Sequence, residues 1–243
     1  MGRQKSQQTS RKASSVETRR AVGTLFIVGT PIGCPDDLTL RARSVLAQVS
    51  IVVAETPLAT RTLLVYHGIA ATVTGYGQGD EEKIAVLLDR LNAGCDIALV
   101  SDSGMPVIYD PGRLLIAAAR AAGHAVIVIP GPSALTAAAA LSGESADRLL
   151  FVGRLPRSAQ RLDRFLKTLR REVATTVMFA HPAAIPRILE RIDRVLADRT
   201  VMLAVNMTKS DERMYRGRAG VLLREVRTLA TDSEVTLVLS GAR

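Results

Sequence analysis

The residue types best suited to chemistry gather in one stretch, Leu99-Val100-Ser101-Asp102-Ser103-Gly104-Met105-Pro106-Val107-Ile108-Tyr109-Asp110-Pro111-Gly112. An apolar strand runs there into an extended turn of small residues and then into a helix. Such a turn has little side-chain bulk and presents backbone N–H and C=O groups above the strand end, which suits a small-molecule ligand. A second strand-to-turn segment, Ala125-Val126-Ile127-Val128-Ile129-Pro130-Gly131-Pro132-Ser133-Ala134, sets a rigid corner with two prolines around a glycine. Ser133 is placed to cap the helix that follows. Taken singly, each segment is also compatible with an ordinary βα connection, because glycine and proline punctuate every α/β protein.

Other chemistries find less support. Gly29 and Gly33 follow an apolar strand and Glu55 ends the next, 22 residues after Gly33, as in a dinucleotide site. The spacing is nevertheless not GxGxxG, Pro31 removes an amide donor, and Asp36 and Asp37 would repel a pyrophosphate. No GKS or GKT marks a phosphate-binding loop. His67, His124 and His181 are scattered, without metal-ligand spacing or a nucleophile partner. His67 and His124 fall near helix ends ahead of strands, where a capping or surface role is expected.

The elements that must position these residues follow from periodicity. Continuous apolar runs at 24–28, 50–54, 96–100 and 125–129 predict strands buried on both faces. Helical patterns lie between them at 37–46, 58–66, 81–92 and 112–122. This alternation predicts a mostly parallel sheet covered by helices, with ligands beyond the carboxyl ends of the strands. After about Ser142 the texture changes to strands at 148–153, 174–180, 200–206 and 234–240 and helices at 158–171, 183–197 and 218–228. The expected organisation is an N-terminal α/β lobe over 23–142 and an α+β lobe over 143–243. On the helix at 158–171, Leu162, Phe165, Leu166 and Leu169 form a core face, interleaved with Arg161, Arg164 and Arg171 and preceded by Arg157. That basic set reads as a solvated face or a phosphate-contacting strip.

Of the 243 residues, 47% are hydrophobic, enough for one large core or two smaller ones. The apolar runs are too short to cross a bilayer. Cys34 and Cys95 show no CxxC spacing and no secretory apolar region stands near the start, which fits a reducing cytoplasm. The net charge is +9, of which residues 1–22 supply +5. Basic, rich in Gln, Ser and Thr and nearly free of apolar residues, that segment is expected to be a disordered tail: a solubilising extension or an arm that grips phosphates.

A resemblance adds what periodicity could not. Thr24 to Gly33, Asp37-Leu38-Thr39-Leu40-Arg41-Ala42, Ala54-Glu55, Thr60-Arg61, Leu99 to Gly112, Ile129 to Ala134, Phe151 to Arg157 and Thr208-Lys209 together resemble the bacterial ribosomal RNA small-subunit methyltransferase I family, within the tetrapyrrole methylases. The likeness spans roughly residues 23–220. It implies a two-lobed tetrapyrrole methylase-like α/β fold. It also implies a cytoplasmic homodimer without a membrane segment, S-adenosylmethionine in the interlobe cleft, and 2′-O-methylation of a cytidine in small-subunit (16S) ribosomal RNA.

Carried over by position, the resemblance puts the cofactor against Pro31, against Ser101, Asp102, Ser103, Gly104, Met105, Pro106 and Ile108, and against Ser133 and Ala134. Phe179, Ala180 and Val205 close it from the second lobe. Asp102 and Asp110 face the sulfonium or amino group, or cap a turn. Glu55 and Lys209 are the ionisable candidates for taking the hydroxyl proton, with a structural salt bridge as the alternative for each. Arg154, Arg157, Arg161 and Arg164 are the RNA-binding candidates, and no metal is implied. The chain departs from the family pattern where AEDTR reads Ala54-Glu55-Thr56-Pro57-Leu58, SYHEHNE reads 75–81, FYESPHR reads 179–185, and REL reads Val205-Asn206-Met207. These losses of charge leave two other readings open: a paralogue with another acceptor, and a non-catalytic RNA- or protein-binding member.

Overall fold

The computed structural model describes residues 22–77, 79–226 and 229–242. Residues 1–21 of the expected tail, and Gln78 within the substituted loop 75–81, lie outside the described residues.

The first sheet holds β1 (Leu25–Val28), β2 (Ile51–Ala54), β3 (Thr72–Gly75), β4 (Ile97–Leu99) and β5 (Val126–Ile129), all parallel, in the order β3-β2-β4-β1-β5. Helices α1 (Leu40–Gln48) and α2 (Pro57–Tyr66) cover one face, where Val28, Val52, Ala98 and Ile129 meet Ala42, Leu46 and Leu64. Helices α3 (Glu81–Asn92) and α4 (Arg113–Ala121) cover the other, where Leu25, Val53, Ile97 and Leu99 meet Leu87, Leu91 and Leu115. From β1 the chain crosses to one side of the sheet and from β4 to the other, so their carboxyl ends flank a topological switch point, the place where open α/β sheets bind ligands.

The expected sheet is present, with four corrections. Strand β5 is an edge, paired only with β1, and Ile127 and Val128 are exposed rather than buried on both faces. Strand β3 was not anticipated because Thr72-Val73-Thr74-Gly75 is short and half polar. The expected helix at 37–46 begins later: Pro35–Asp37 forms a 3-10 turn, and the Thr39 hydroxyl, accepting from Ala42 N at 3.1 Å, caps α1. His67 does end α2, with Nε2 2.9 Å from Pro35 O, and His124 N closes α4 by donating to Ala119 O at 3.0 Å, but the His124 ring is buried beside Gly23 O rather than exposed.

The second sheet contains β6 (Leu149–Arg154), β7 (Thr175–Ala180), β8 (Thr200–Val205), β9 (Arg213–Arg218) and β10 (Val235–Leu239), in the order β6-β7-β10-β8-β9. Only β6 and β7 are parallel. Strand β9, Arg-Met-Tyr-Arg-Gly-Arg, escaped the apolar pattern because it is a charged edge strand. It takes the first residue of the helix expected at 218–228, which is reduced to α8 (Ala219–Glu225); residues 227 and 228 lie outside the described residues.

Helix α8, α6 (Ala159–Thr168) and α7 (Ile185–Val195) pack on one face of this sheet through Leu162, Leu166, Ile188, Leu189, Ile192 and Leu222. Arg161 and Arg164 stand exposed on α6, as its periodicity required. The opposite face is covered by α5 (Ala134–Ser142), whose Ala138 and Ala139 lie against Val177, Met202, Ala204 and Val238. Although α5 follows the first sheet in the chain, it is the floor of the second.

Candidate functional site: an acidic cleft at the switch point

Three loops lock together above the first sheet. Thr30 and Gly104 pair across β1 and β4, with Thr30 N donating to Gly104 O at 2.9 Å and Gly104 N to Thr30 O at 3.2 Å. The Thr30 hydroxyl also donates to Ser101 O at 3.1 Å, and Ser101 Oγ donates to Gly104 O at 3.1 Å. The third loop meets the first at Gly29 and Gly131, so close that a Cβ on Gly131 would lie 2.9 Å from Gly29 Cα. Across the lobes, Cys34 N donates to Thr208 Oγ1 at 2.9 Å, and a side chain on Gly33 would collide with the Met207 carbonyl.

Between these loops and the second lobe lies a cleft of about 540 Å³, a size suited to a small-molecule ligand. Glu55, Asp102, Ser103, Gly104, Met105, Ile108, Tyr109, Asp110, Ser133 and Ala134 line it from the first-lobe loops and the start of α5. Arg154, Phe179, Ala180, His181 and the segment 233–236 line it from the second lobe. A smaller cavity of about 270 Å³ adjoins it, with Ile32, Asp102, Ser103 and Glu234 in both walls.

The cleft is an acidic trap. Asp102 is fixed by Thr56 N, which donates to its Oδ1 at 3.0 Å. Burial, then the neighbouring charges of Glu55 and Asp102, push the Asp110 carboxyl up to about 6, against the opposing pull of Ser101 and Arg154. Glu55 is also raised, by partial burial first and the Asp102 charge second, with Arg154 again opposing. Carboxylates that disfavour one another's ionisation are relieved by a cation placed among them.

Backbone strain gathers in the same place. The only non-glycine residues with positive φ among those described are Val107 (75°), Tyr109 (74°), Asn206 (52°) and Thr208 (63°). The first two lie in the cleft loop. The other two lie in the turn that fastens the lobes, where Asn206 Oδ1 accepts from Glu234 N at 2.8 Å. Such conformations cost on the order of 1–3 kcal/mol each and persist where surrounding structure enforces them.

The structure brings most of the expected positions to one cleft: Glu55, Asp102, Ser103, Gly104, Met105, Ile108, Asp110, Ser133, Ala134, Phe179 and Ala180 all line it. Pro31, Ser101 and Lys209 line the adjoining cavity instead, while Pro106 and Val205 are buried behind the wall. Ser133 begins α5, but its hydroxyl makes no cap bond to the helix. Lys209 Nζ pairs with Glu234 Oε1 at 3.3 Å. Arg154 lines the cleft, whereas Arg157, Arg161 and Arg164 are exposed on and before α6. Sequence reasoning missed Ile32, His181, Met207, Thr231 and 233–236 as wall residues. The Asp-Ser-Glu turn ahead of an apolar strand was the one available signal for the last of these.

A strained, glycine-tight corner facing an acidic cleft between two unlike sheets defines the class. The family model for tetrapyrrole (corrin/porphyrin) methylases matches residues 24–222. Among solved structures, a cobalt precorrin-4 methyltransferase of cobalamin biosynthesis superposes with a TM-score of 0.69 at 20% identity, over 89% of this chain and 94% of that one. A uroporphyrin-III C-methyltransferase from Thermus thermophilus, complexed with S-adenosylhomocysteine, gives 0.64 at 19% identity over 90% and 97%. The ribosomal RNA small subunit methyltransferase I of Thermotoga maritima is 38% identical over 221 residues, 90% of this chain and 99% of that protein. The chain belongs to the ribosomal RNA small subunit methyltransferase I family.

Proposed function

We propose that this chain transfers a methyl group from S-adenosylmethionine to the 2′-oxygen of a cytidine in small-subunit ribosomal RNA, as a cytoplasmic homodimer. The methyltransferase class, the cofactor and the ribosomal RNA substrate accompany family membership. The acceptor atom and the residue roles are the proposal. The observation that carries it is the cluster of Glu55, Asp102 and Asp110 in the switch-point cleft.

The residues present fit this cofactor. Its sulfonium and α-ammonium groups are cations and suit the three carboxylates, while Met105, Ile108, Ala134 and Ala180 offer apolar walls. Pro31, Ser101, Pro106 and Val205 support those walls from behind. When bound, the cofactor supplies a methyl group on a sulfonium, which the acceptor oxygen must approach in line and away from water.

Asp102 and Asp110 hold the positive charge. Glu55, its carboxyl made more basic by partial burial and the Asp102 charge and exposed at the mouth, takes the hydroxyl proton as the oxygen attacks. Lys209, engaged with Glu234, acts as a cation rather than as a base. Arg154 meets the RNA at the cleft mouth, and Arg157, Arg161 and Arg164 contact RNA phosphates. The apolar residues Ile127 and Val128 on the β5 edge supply the dimer surface.

The direct test incubates small subunits lacking the modification with methyl-labelled S-adenosylmethionine. Label in one cytidine whose 3′ linkage resists alkaline hydrolysis is the expected result. Label on a base, or no transfer by protein that binds the cofactor, sinks the acceptor assignment.

Asp110 makes cofactor binding pH-dependent. Below about pH 6 it is neutral in the free protein and must lose its proton to meet a cation, so affinity rises as pH increases through 6 and levels off above. Glu55 and Asp102 push this midpoint up, while Ser101 and Arg154 pull it down. Titration calorimetry between pH 5 and 7 should show a gain of about tenfold. The decisive control is Asp110→Asn, in which the gain disappears.

A further inference from the structure

The cleft mouth holds an aromatic side chain that the cofactor chemistry does not use. Tyr109 is 55% exposed although its φ is +74°. Core packing therefore does not account for the cost of holding it there. Its ring meets Phe179 edge-on, with centroids 6.4 Å apart and planes at 83°, and Phe179 meets Phe151 in turn at 5.1 Å.

The Arg154 guanidinium carbon lies 5.5 Å from the centre of the Tyr109 ring. The register of β6 against β7 shifts between Phe151 and Arg154, and Gly153 within that shift has φ +61°. A Cβ on Gly153 would lie 2.6 Å from Tyr109 Cδ2. The irregularity thus makes room for the tyrosine ring and aims Arg154 at it. The first lobe supplies the tyrosine and the second the arginine.

A polynucleotide arriving at this mouth meets Glu55, Asp102 and Asp110, charges of the same sign as its phosphates. Attraction there must come from base stacking and from the one cation that lines the cleft on the described residues, Arg154. Single-stranded bases are read in that way, splayed onto aromatic rings and guanidinium planes. The geometry points to Tyr109 and Arg154 as the stacking platform for the acceptor nucleobase, positioning its ribose over the cleft. This rests on the reading of the chain as an RNA methyltransferase.

The test compares Tyr109→Ala and Tyr109→Phe with the unaltered protein, measuring kcat and KM for undermethylated small subunits and, separately, cofactor affinity by calorimetry. Tyr109→Ala should raise KM for the subunits about 5- to 100-fold, the range expected for one lost stacking contact. Cofactor affinity should stay within about twofold, and Tyr109→Phe, which keeps the ring, should behave as the unaltered protein. Arg154→Ala is the second variant should the alanine variant of Tyr109 fail to fold, with KM for the subunits at saturating cofactor as its readout and the same rise expected.

An unchanged KM in Tyr109→Ala overturns the platform. So does a loss confined to cofactor affinity, which would make Tyr109 a lid. Absence of transfer by the unaltered protein overturns the RNA methyltransferase reading, and the platform with it.

Discussion

Glu55→Gln is expected to lower kcat for methylation by about 10²- to 10⁴-fold, the usual contribution of a positioned general base. The substitution keeps the side-chain shape at the end of β2 and removes only the capacity to accept a proton. The same change has a second, independent signature. Because the Glu55 charge helps raise Asp110, its removal should shift the pH dependence of cofactor binding toward lower pH. Rapid-mix single-turnover assays with saturating cofactor read the first effect, and calorimetry reads the second. A variant that shows the calorimetric shift with kcat within about threefold of normal would place Glu55 in the cleft but not in the proton transfer.

Gly131→Ala should be strongly damaging for so small a change. A methyl group there lies 2.9 Å from both Cα and O of Gly29. These are backbone atoms on a central strand's exit, which cannot rotate aside. Overpacking of this kind costs about 1–3 kcal/mol, a fall in melting temperature of about 2–12 °C for a chain of this size. Because the displaced loops carry the cofactor cleft, affinity for S-adenosylmethionine should fall about 10- to 100-fold. Gly77→Ala is the matched control, since nothing lies within 4 Å of a Cβ at that position. Thermal melts and calorimetry of the two variants test the argument. Equal behaviour would mean that the Gly29–Gly131 contact is not needed for the corner.

Much of the architecture was legible because burial writes itself as apolar runs. Phe26-Ile27-Val28 and Ile97-Ala98-Leu99 read as inner strands because they are inner strands. The same rule misplaced Ile127 and Val128, since an apolar run reports hydrophobicity and not whether a neighbour covers it. It also missed β9, whose arginines suit an edge. The cleft loops were visible as glycine and proline punctuation, whereas the convergence of Glu55, Asp102 and Asp110 came only from the resemblance and not from periodicity or spacing. Glu55 follows β2 whereas Asp102 and Asp110 both follow β4, and they meet because these parallel neighbours deliver their carboxyl ends to one place. The pairing of Tyr109 with Arg154 was unreadable for a similar reason: its partners Gly153, Arg154 and Phe179 belong to the other lobe.

The position of α5 bears on how the protein is made. Its first turn continues the Pro-Gly-Pro corner of the cleft, yet its alanine face rests on β7 and β10. Strand β10 is the last strand of the described chain and lies in the centre of its sheet, between β7 and β8. During synthesis the first five strands emerge early, but the helix that anchors their ligand corner rests on β7, β8 and β10 together, so the surface beneath it is complete only once translation has passed β10. Competence to bind a ligand is therefore acquired only after β10 has been made, in one step with closure of the second sheet. A prematurely terminated chain would carry every loop residue of the first lobe and still lack a formed cleft.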